Sequence, residues 1–134
     1  MKTFAGRKLG RKPGHRSMLL RNLTESLLMN EKLETTVPKA KELARYAQKI
    51  ITMAKHGGEA PLKMEGAATA GSSAKYVNAQ RQVARYLAQA DTRKKLFAVL
   101  VPRYLARNGG YTQIVRSGQR KGDAAPMAVI RLVP

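Results

Sequence analysis

The chain has 134 residues and a formal net charge of +18 at pH 7, from 26 Lys and Arg against 8 Asp and Glu. A charge this large on one small domain repels itself unless a polyanion neutralises it, which points to nucleic acid or an anionic membrane surface. The chain contains no cysteine, which excludes disulfides, Cys-based zinc sites and thiol nucleophiles. Its hydrophobic content of 43% is ordinary for a globular domain.

The first segment, residues 1–14, is predicted to be a disordered basic arm. Three glycines and one proline disfavour a helix there, and no acid occurs before Glu25. No apolar run follows these charges, so neither a signal peptide nor a membrane span is predicted. Residues 15–134 are expected to form one folded domain.

The first half of this domain is predicted to run helix, strand, helix. The apolar stripe of residues 16–29 predicts an amphipathic helix, and the alternation over residues 32–37 predicts a short strand. Pro38 suits the first turn of a second helix, which we expect to end at the glycine pair of residues 57–58. The Gly- and Ala-rich stretch at about 57–78 is predicted to be a surface insertion.

The second half is predicted to contain two helices and then two strands. Residues 74–90 have a helical pattern, and a central, widely apolar helix is expected from about residue 91 to 108, bent at Pro102. Residues 111–115 and 127–133 are typical of strands. The predicted fold class is therefore α+β, with helices packed on a small sheet of about three strands.

Cations suited to phosphate concentrate in the arm and the helix start that follows it, and again in residues 116–126. That second stretch is too long for a tight turn, so we expect an ordered basic loop whose arginine forks bind phosphate. His15, between the arm and the first helix, is expected to hydrogen-bond RNA directly. The cations predicted to bind RNA in these two regions are Lys2, Arg7, Lys8, Arg11, Lys12, Arg16, Arg21, Arg116, Arg120 and Lys121.

Catalysis is not predicted, and neither is a metal or another cofactor. His15 and His56 are the only histidines, and no carboxylate cluster accompanies them. Tyr111 and the other tyrosines are expected to pack in the core, so contacts with RNA should go mainly to phosphate and sugar. Two other classes remain open at this point: a basic DNA-architectural or regulatory protein, and an RNA-processing enzyme.

Several short motifs resemble the family of bacterial large-subunit ribosomal protein seventeen. They are His15-Arg16, Arg21-Asn22, the run from Thr35 to Leu43, Gly109-Gly110-Tyr111-Thr112, Gly122-Asp123 and Ala125-Pro126-Met127-Ala128. The resemblance covers roughly residues 1–56 and 91–134, and the sequence departs from the family pattern at about 57–78.

This resemblance implies a structural, non-catalytic component of the cytoplasmic bacterial ribosome. The implied partners are large-subunit ribosomal RNA, near the exit of the nascent-chain tunnel, and neighbouring large-subunit proteins. No small-molecule substrate and no membrane partner are expected. Asn22, Lys39 and Arg107 complete the set of residues predicted to bind RNA.

Overall fold

The computed structural model describes residues 6–63 and 70–134, with side chains described outside 58–63 and 70–73. Helices pack on one face of a three-stranded antiparallel sheet, which confirms the predicted α+β class. In chain order the elements are α1 (Pro13–Asn30), β1 (Lys32–Thr36), α2 (Val37–Lys63), α3 (Ala70–Ala84), α4 (Ala90–Lys95), a π-helical segment (Leu96–Leu100), α5 (Val101–Tyr104), β2 (Thr112–Gln119) and β3 (Pro126–Leu132).

The sheet has the order β1-β3-β2, so β3 is central and both neighbours are antiparallel to it. Alternate residues of β3 point to the helices, because side chains in a strand alternate between faces. Ala128, Ile130 and Leu132 are accordingly buried, and they pack with the apolar side of α2. Within the described ranges, no helix has the length and hydropathy needed to cross a bilayer.

Helix α1 begins before the predicted start and ends at Asn30, as its pattern suggested. Pro13 stands in its first turn, where a residue without an N–H loses no helical hydrogen bond. The last two residues of the predicted arm are therefore helical. Residues 7–12 contain neither helix nor strand, and Lys2 lies outside the described residues.

The prediction that α2 ends at the glycine pair is wrong, because the helix continues to Lys63. Gly57 is buried and faces α3. A Cβ atom at Gly57 would lie 2.0 Å from the Cβ of Ala79 and 3.0 Å from the carbonyl oxygen of Lys75. Gly57 therefore serves close helix packing and does not stop the helix.

The predicted surface insertion is largely helical where the structure describes it. The end of α2 and the start of α3 at Ala70 both fall within it, and residues 64–69 lie outside the described residues. Helix α3 ends at Ala84, six residues before the predicted residue 90. The N–H groups of Ala88 and Gln89 bind Glu25 of α1 and so do not continue the helix.

The central helix is continuous from Ala90 to Tyr104 but widens in its middle. The N–H of Val101 donates to the carbonyl of Leu96, five residues back, which is the π-helical pattern. Pro102 follows at once; it has no N–H, and its ring would crowd the carbonyl four residues earlier in a regular α-helix. The structure therefore shows a π-helical segment just before Pro102, whereas the bend predicted at Pro102 stays a prediction. The helix ends four residues before the predicted residue 108.

The predicted long loop between the last two strands is wrong in extent. Strand β2 continues to Gln119, so Arg116 lies in the strand and the connection is the six residues 120–125. Ser117 is left unpaired between Arg116 and Gly118, where the register shifts by one residue. Such a bulge lets an edge strand run on with a sharper twist, which plain alternation in the sequence does not reveal.

Candidate nucleic-acid interface

One group of cations surrounds the N-terminus of α1. Lys12 occupies the N-cap position without a side-chain hydrogen bond to the helix, and the first turn has no acid. Lys12 and His15 are exposed and Arg16 is half-buried. The unsatisfied N–H groups and the positive end of the helix dipole add to these charges, so this end of α1 favours an anion.

The residues before α1 form a turn that presents two further cations. Leu9 and Gly10 have positive φ angles of 53° and 63°, and the N–H of Arg11 donates to the carbonyl of Lys8 at 3.1 Å. Arg7 and Lys8 are exposed. The guanidinium of Arg11 donates through Nη1 to the carbonyl of Leu9, whereas its buried Nε has no partner among the described residues.

The second group lies at the β2–β3 hairpin. Arg116 and Lys121 are exposed, and no hydrogen bond or ion pair to another described residue holds either side chain. Arg120 instead makes a two-fold contact with Asp123, at 2.9 Å and 2.7 Å. Hydrogen bonds from the Arg120 side chain and from the N–H of Ala125 lower the pKa of Asp123 to about 2. The turn is thereby braced, and much of the Arg120 charge is balanced within the protein.

Three of the remaining predicted residues have partners or positions inside the fold. Arg21 donates to the carbonyl of Arg85 at 2.9 Å and so joins α1 to the end of α3. Arg107 is exposed but donates through Nε to the carbonyl of Gly109, and Lys39 is half-buried. Asn22 is exposed on α1. Contacts of these residues with RNA stay predictions, as do those of the two groups above.

The structure assigns a folding role to two cations that sequence reasoning did not single out. Glu31, in the left-handed conformation after α1, pairs with Lys95 at 3.1 Å and with Arg103 at 2.7 Å. Lys95 also donates to the carbonyl of Met29. The hydrogen bond from Arg103 is the main cause that lowers the pKa of Glu31. Lys95 and Arg103 thus tie the central helix to the end of α1.

The sequence also did not indicate that a buried acid, Glu25, helps to hold the fold together. Glu25 is 5% exposed, and one of its oxygens accepts hydrogen bonds from the N–H groups of Ala88 at 2.6 Å and Gln89 at 3.0 Å. Arg21 and Glu25 are spaced i,i+4 in α1, a spacing that often gives an ion pair within one helix. Instead each side chain reaches across to the connection between α3 and α4, which spacing within one helix cannot show.

The prediction that the tyrosines pack in the core is confirmed. Tyr104 and Tyr111 are almost fully buried, with ring centroids 5.1 Å apart. Lys55 donates to the carbonyl of Arg107 at 2.6 Å and lies over the Tyr111 ring. Neither of these two buried rings is available to stack on a base.

Comparison with known proteins shows similarity along nearly the whole chain. A family model described as Ribosomal protein L17 matches residues 19–133. Three curated relatives, each named large ribosomal subunit protein bL17, align closely. The protein of Moorella thermoacetica is 45% identical over 97% of this chain and 100% of its own length; that of Clostridioides difficile is 45% identical over 95% and 96%. The protein of Campylobacter concisus is 43% identical over 95% and 92%.

These matches agree with the resemblance drawn from the short motifs and extend it across residues 57–78. The relatives are ribosomal proteins and not enzymes, which confirms the prediction that this chain is no enzyme. The chain belongs to the ribosomal protein L17 family.

Proposed function

We propose that the chain is a structural component of the large ribosomal subunit in the bacterial cytoplasm, where it binds and stabilises the subunit's RNA. Its RNA contacts go mainly to phosphate. The observation that carries the proposal is the separation of charges: the described acids have partners inside the protein or are buried, or lie on surfaces away from the two cationic groups. Glu25 and Glu31 show the first case. The cations around α1 are left for a polyanion, as are Arg116 and Lys121 at the hairpin, whereas Arg120 is paired with Asp123.

The unpaired Nε of Arg11 supports the same view. A guanidinium N–H with no acceptor among the described residues can donate to an oxygen that a partner supplies. A phosphate next to the turn at Leu9 and Gly10 would supply such an oxygen. The exposed Arg7 and Lys8 would lie beside it.

Co-sedimentation tests the proposal against its alternative. The tagged chain is expected to remain with large subunits after a high-salt wash, because it binds folded RNA through many contacts. Recovery with the nucleoid instead would favour a DNA-architectural protein and overturn the proposal. A turnover assay with labelled RNA serves as the control for an RNA-processing activity and is expected to show none.

The place of the chain in the subunit is part of the same proposal. By family resemblance, we place it near the exit of the nascent-chain tunnel, beside other large-subunit proteins. Because the chain has no cysteine, a single Lys94→Cys variant gives one unique cross-linking position on an exposed helix. Cross-links from that position to a stalled nascent chain or to exit proteins would support this location. Cross-links only to proteins of the subunit interface would exclude it.

A further inference from the structure

Helix α2 carries cations on its solvent side that belong to neither group described above. Lys41 and Arg45 are exposed, and no hydrogen bond or ion pair to a described residue holds them. They are spaced i,i+4, so they lie on one ridge about 6 Å apart along the axis. Glu42, the one acid within residues 37–57, is buried on another side of the helix.

The position of this ridge follows from the contacts on either side of it. On one side, Gln48 donates to the side chain of Thr112 at 2.9 Å and so fixes α2 beside the start of β2. On the other side, Tyr46 packs edge-on against Tyr86, and Gly57 meets Ala79. The exposed ridge therefore runs between the free edge of β2 and helix α3.

The same contacts place the start of the ridge at the hairpin end of the sheet. Thr36, the last residue of β1, shares a row of the sheet with Met127 and Gly118, and α2 begins directly after it. From that row, α2 runs back along the sheet until Gln48 reaches Thr112. Measured from the Gln48–Thr112 contact back towards that row, β2 covers about 13 Å from Thr112 to Arg116. Over the same direction α2 covers about 10 Å from Gln48 to Lys41.

Arg116 and Lys41 therefore lie at nearly the same position along the strand direction. It shares the helix-facing side of β2 with Thr112 and Ile114, because residues two apart in a strand point the same way and the bulge comes only after it. Arg116 pairs with the buried Ala128 yet is itself exposed at the edge of the sheet. Its charge extends the hairpin group towards the α2 ridge.

We propose that Lys121, Arg116, Lys41 and Arg45 form one cationic track that binds the phosphate backbone of a double-helical RNA segment. The inference rests on the RNA binding proposed above and adds a contact surface on α2. Ammonium and guanidinium groups spaced along a line fit successive phosphates of one strand. An exposed aromatic side chain is absent from the described residues of the track, so the binding is expected to be insensitive to base sequence.

The test compares two variants with equal loss of charge. Lys41→Gln with Arg45→Gln removes the α2 part of the track. Arg81→Gln with Lys94→Gln removes two cations from the groove between α3 and α4, on another surface. Affinity for deproteinised large-subunit ribosomal RNA is measured from 50 to 200 mM salt for both variants, for the wild type, and for the charge-preserving Lys41→Arg with Arg45→Lys.

The track variant is expected to lower the slope of log affinity against log salt by about one to two units relative to the control, since each lost phosphate contact removes up to about one. The charge-preserving variant is expected to keep the wild-type slope. A steep wild-type slope with equal slopes for the two charge-loss variants would overturn the track and leave the proposed function standing, and would direct attention to an acidic protein on this ridge. A flat wild-type slope would instead count against the RNA binding itself.

Discussion

The two ends of the sheet use their cations differently. At the end where β1 begins, Lys95 and Arg103 bind Glu31, and Lys55 binds the carbonyl of Arg107. At the end where β2 and β3 join, Arg116 and Lys121 have no partner among the described residues. The same residue types thus hold the fold at the first end, whereas at the second Arg120 braces the turn through Asp123 and Arg116 and Lys121 face outward. Net charge alone does not distinguish the cations that hold the fold from those that face outward, whereas the positions of the acids do.

The largest expected effect concerns the cations before and at the start of α1. Changing Arg7, Arg11 and Arg16 together to Ala is expected to lower the salt slope of RNA affinity by up to about two to three units, because each residue is predicted to meet a phosphate. Thermal unfolding of the free protein should hardly change. Binding measured across a salt series checks the first statement and calorimetry the second. Unaltered slopes would mean that these arginines do not touch phosphate.

The next largest effect is expected on the stability of the fold. Glu25→Ala leaves the N–H groups of Ala88 and Gln89 without their acceptor, and we expect a loss of about 2 kcal/mol in the free energy of unfolding. Glu25→Gln keeps one acceptor oxygen and should lose less. Urea unfolding of both variants measures the difference. Equal stability of Glu25→Ala and the wild type would show that this buried carboxylate does not hold α1 to the α3–α4 connection.

Alanine substitutions at two separate glycines, Gly57 and Gly14, give a matched test of the packing between α2 and α3. Gly57→Ala is expected to cost about 1–3 kcal/mol by overpacking, despite the better helix propensity of Ala, because its Cβ would lie 2.0 Å from that of Ala79. Gly14→Ala, at a helical position with open space around it, should be neutral or stabilise by up to about 1 kcal/mol. Thermal unfolding of both variants decides. A stabilised Gly57→Ala protein would contradict the close approach.

The smallest expected effect is a dependence of stability on pH. The pKa of Glu31 is lower than its ordinary value of 4.5 in the folded protein, chiefly through the hydrogen bond from Arg103. Its contribution is therefore fully present above pH 4.5 and is lost as the pH falls through the lower folded value. The side chain is 34% exposed, so solvent screening keeps the contribution under about 1 kcal/mol. Glu31→Gln should flatten the decline of stability below pH 4.5, and identical declines would rule out this role.

The sequence predicted the local elements better than their ends. The apolar stripes of α1 and α2 and the alternation of β1 are properties of short windows, and all three elements lie where these patterns placed them. The ends depend on tertiary contacts. Gly57 lies inside α2 because Ala79 approaches it, and α3 stops where Glu25 captures backbone N–H groups. Neither contact leaves a trace in the local pattern.

The candidate site shows the same division. The cations before α1 could be recognised from an acid-free run of sequence, and those near residue 120 from their glycine-rich surroundings. The pairing of Arg120 with Asp123 and the use of Arg21 as a tie to Arg85 needed coordinates. So did the alignment of Lys41 with Arg116, since 75 residues separate them in the chain.

One measurement tests the contrast between the two ends most directly: the salt dependence of affinity for large-subunit ribosomal RNA in two variants that each lose two cations. Arg116→Gln with Lys121→Gln alters the hairpin end, and Lys95→Gln with Arg103→Gln alters the end held by Glu31. We expect the hairpin variant to lower the slope by about one to two units, and the other to keep the wild-type slope while unfolding more easily. Equal slopes for the two variants would contradict the division of cations into those that hold the fold and those that bind RNA.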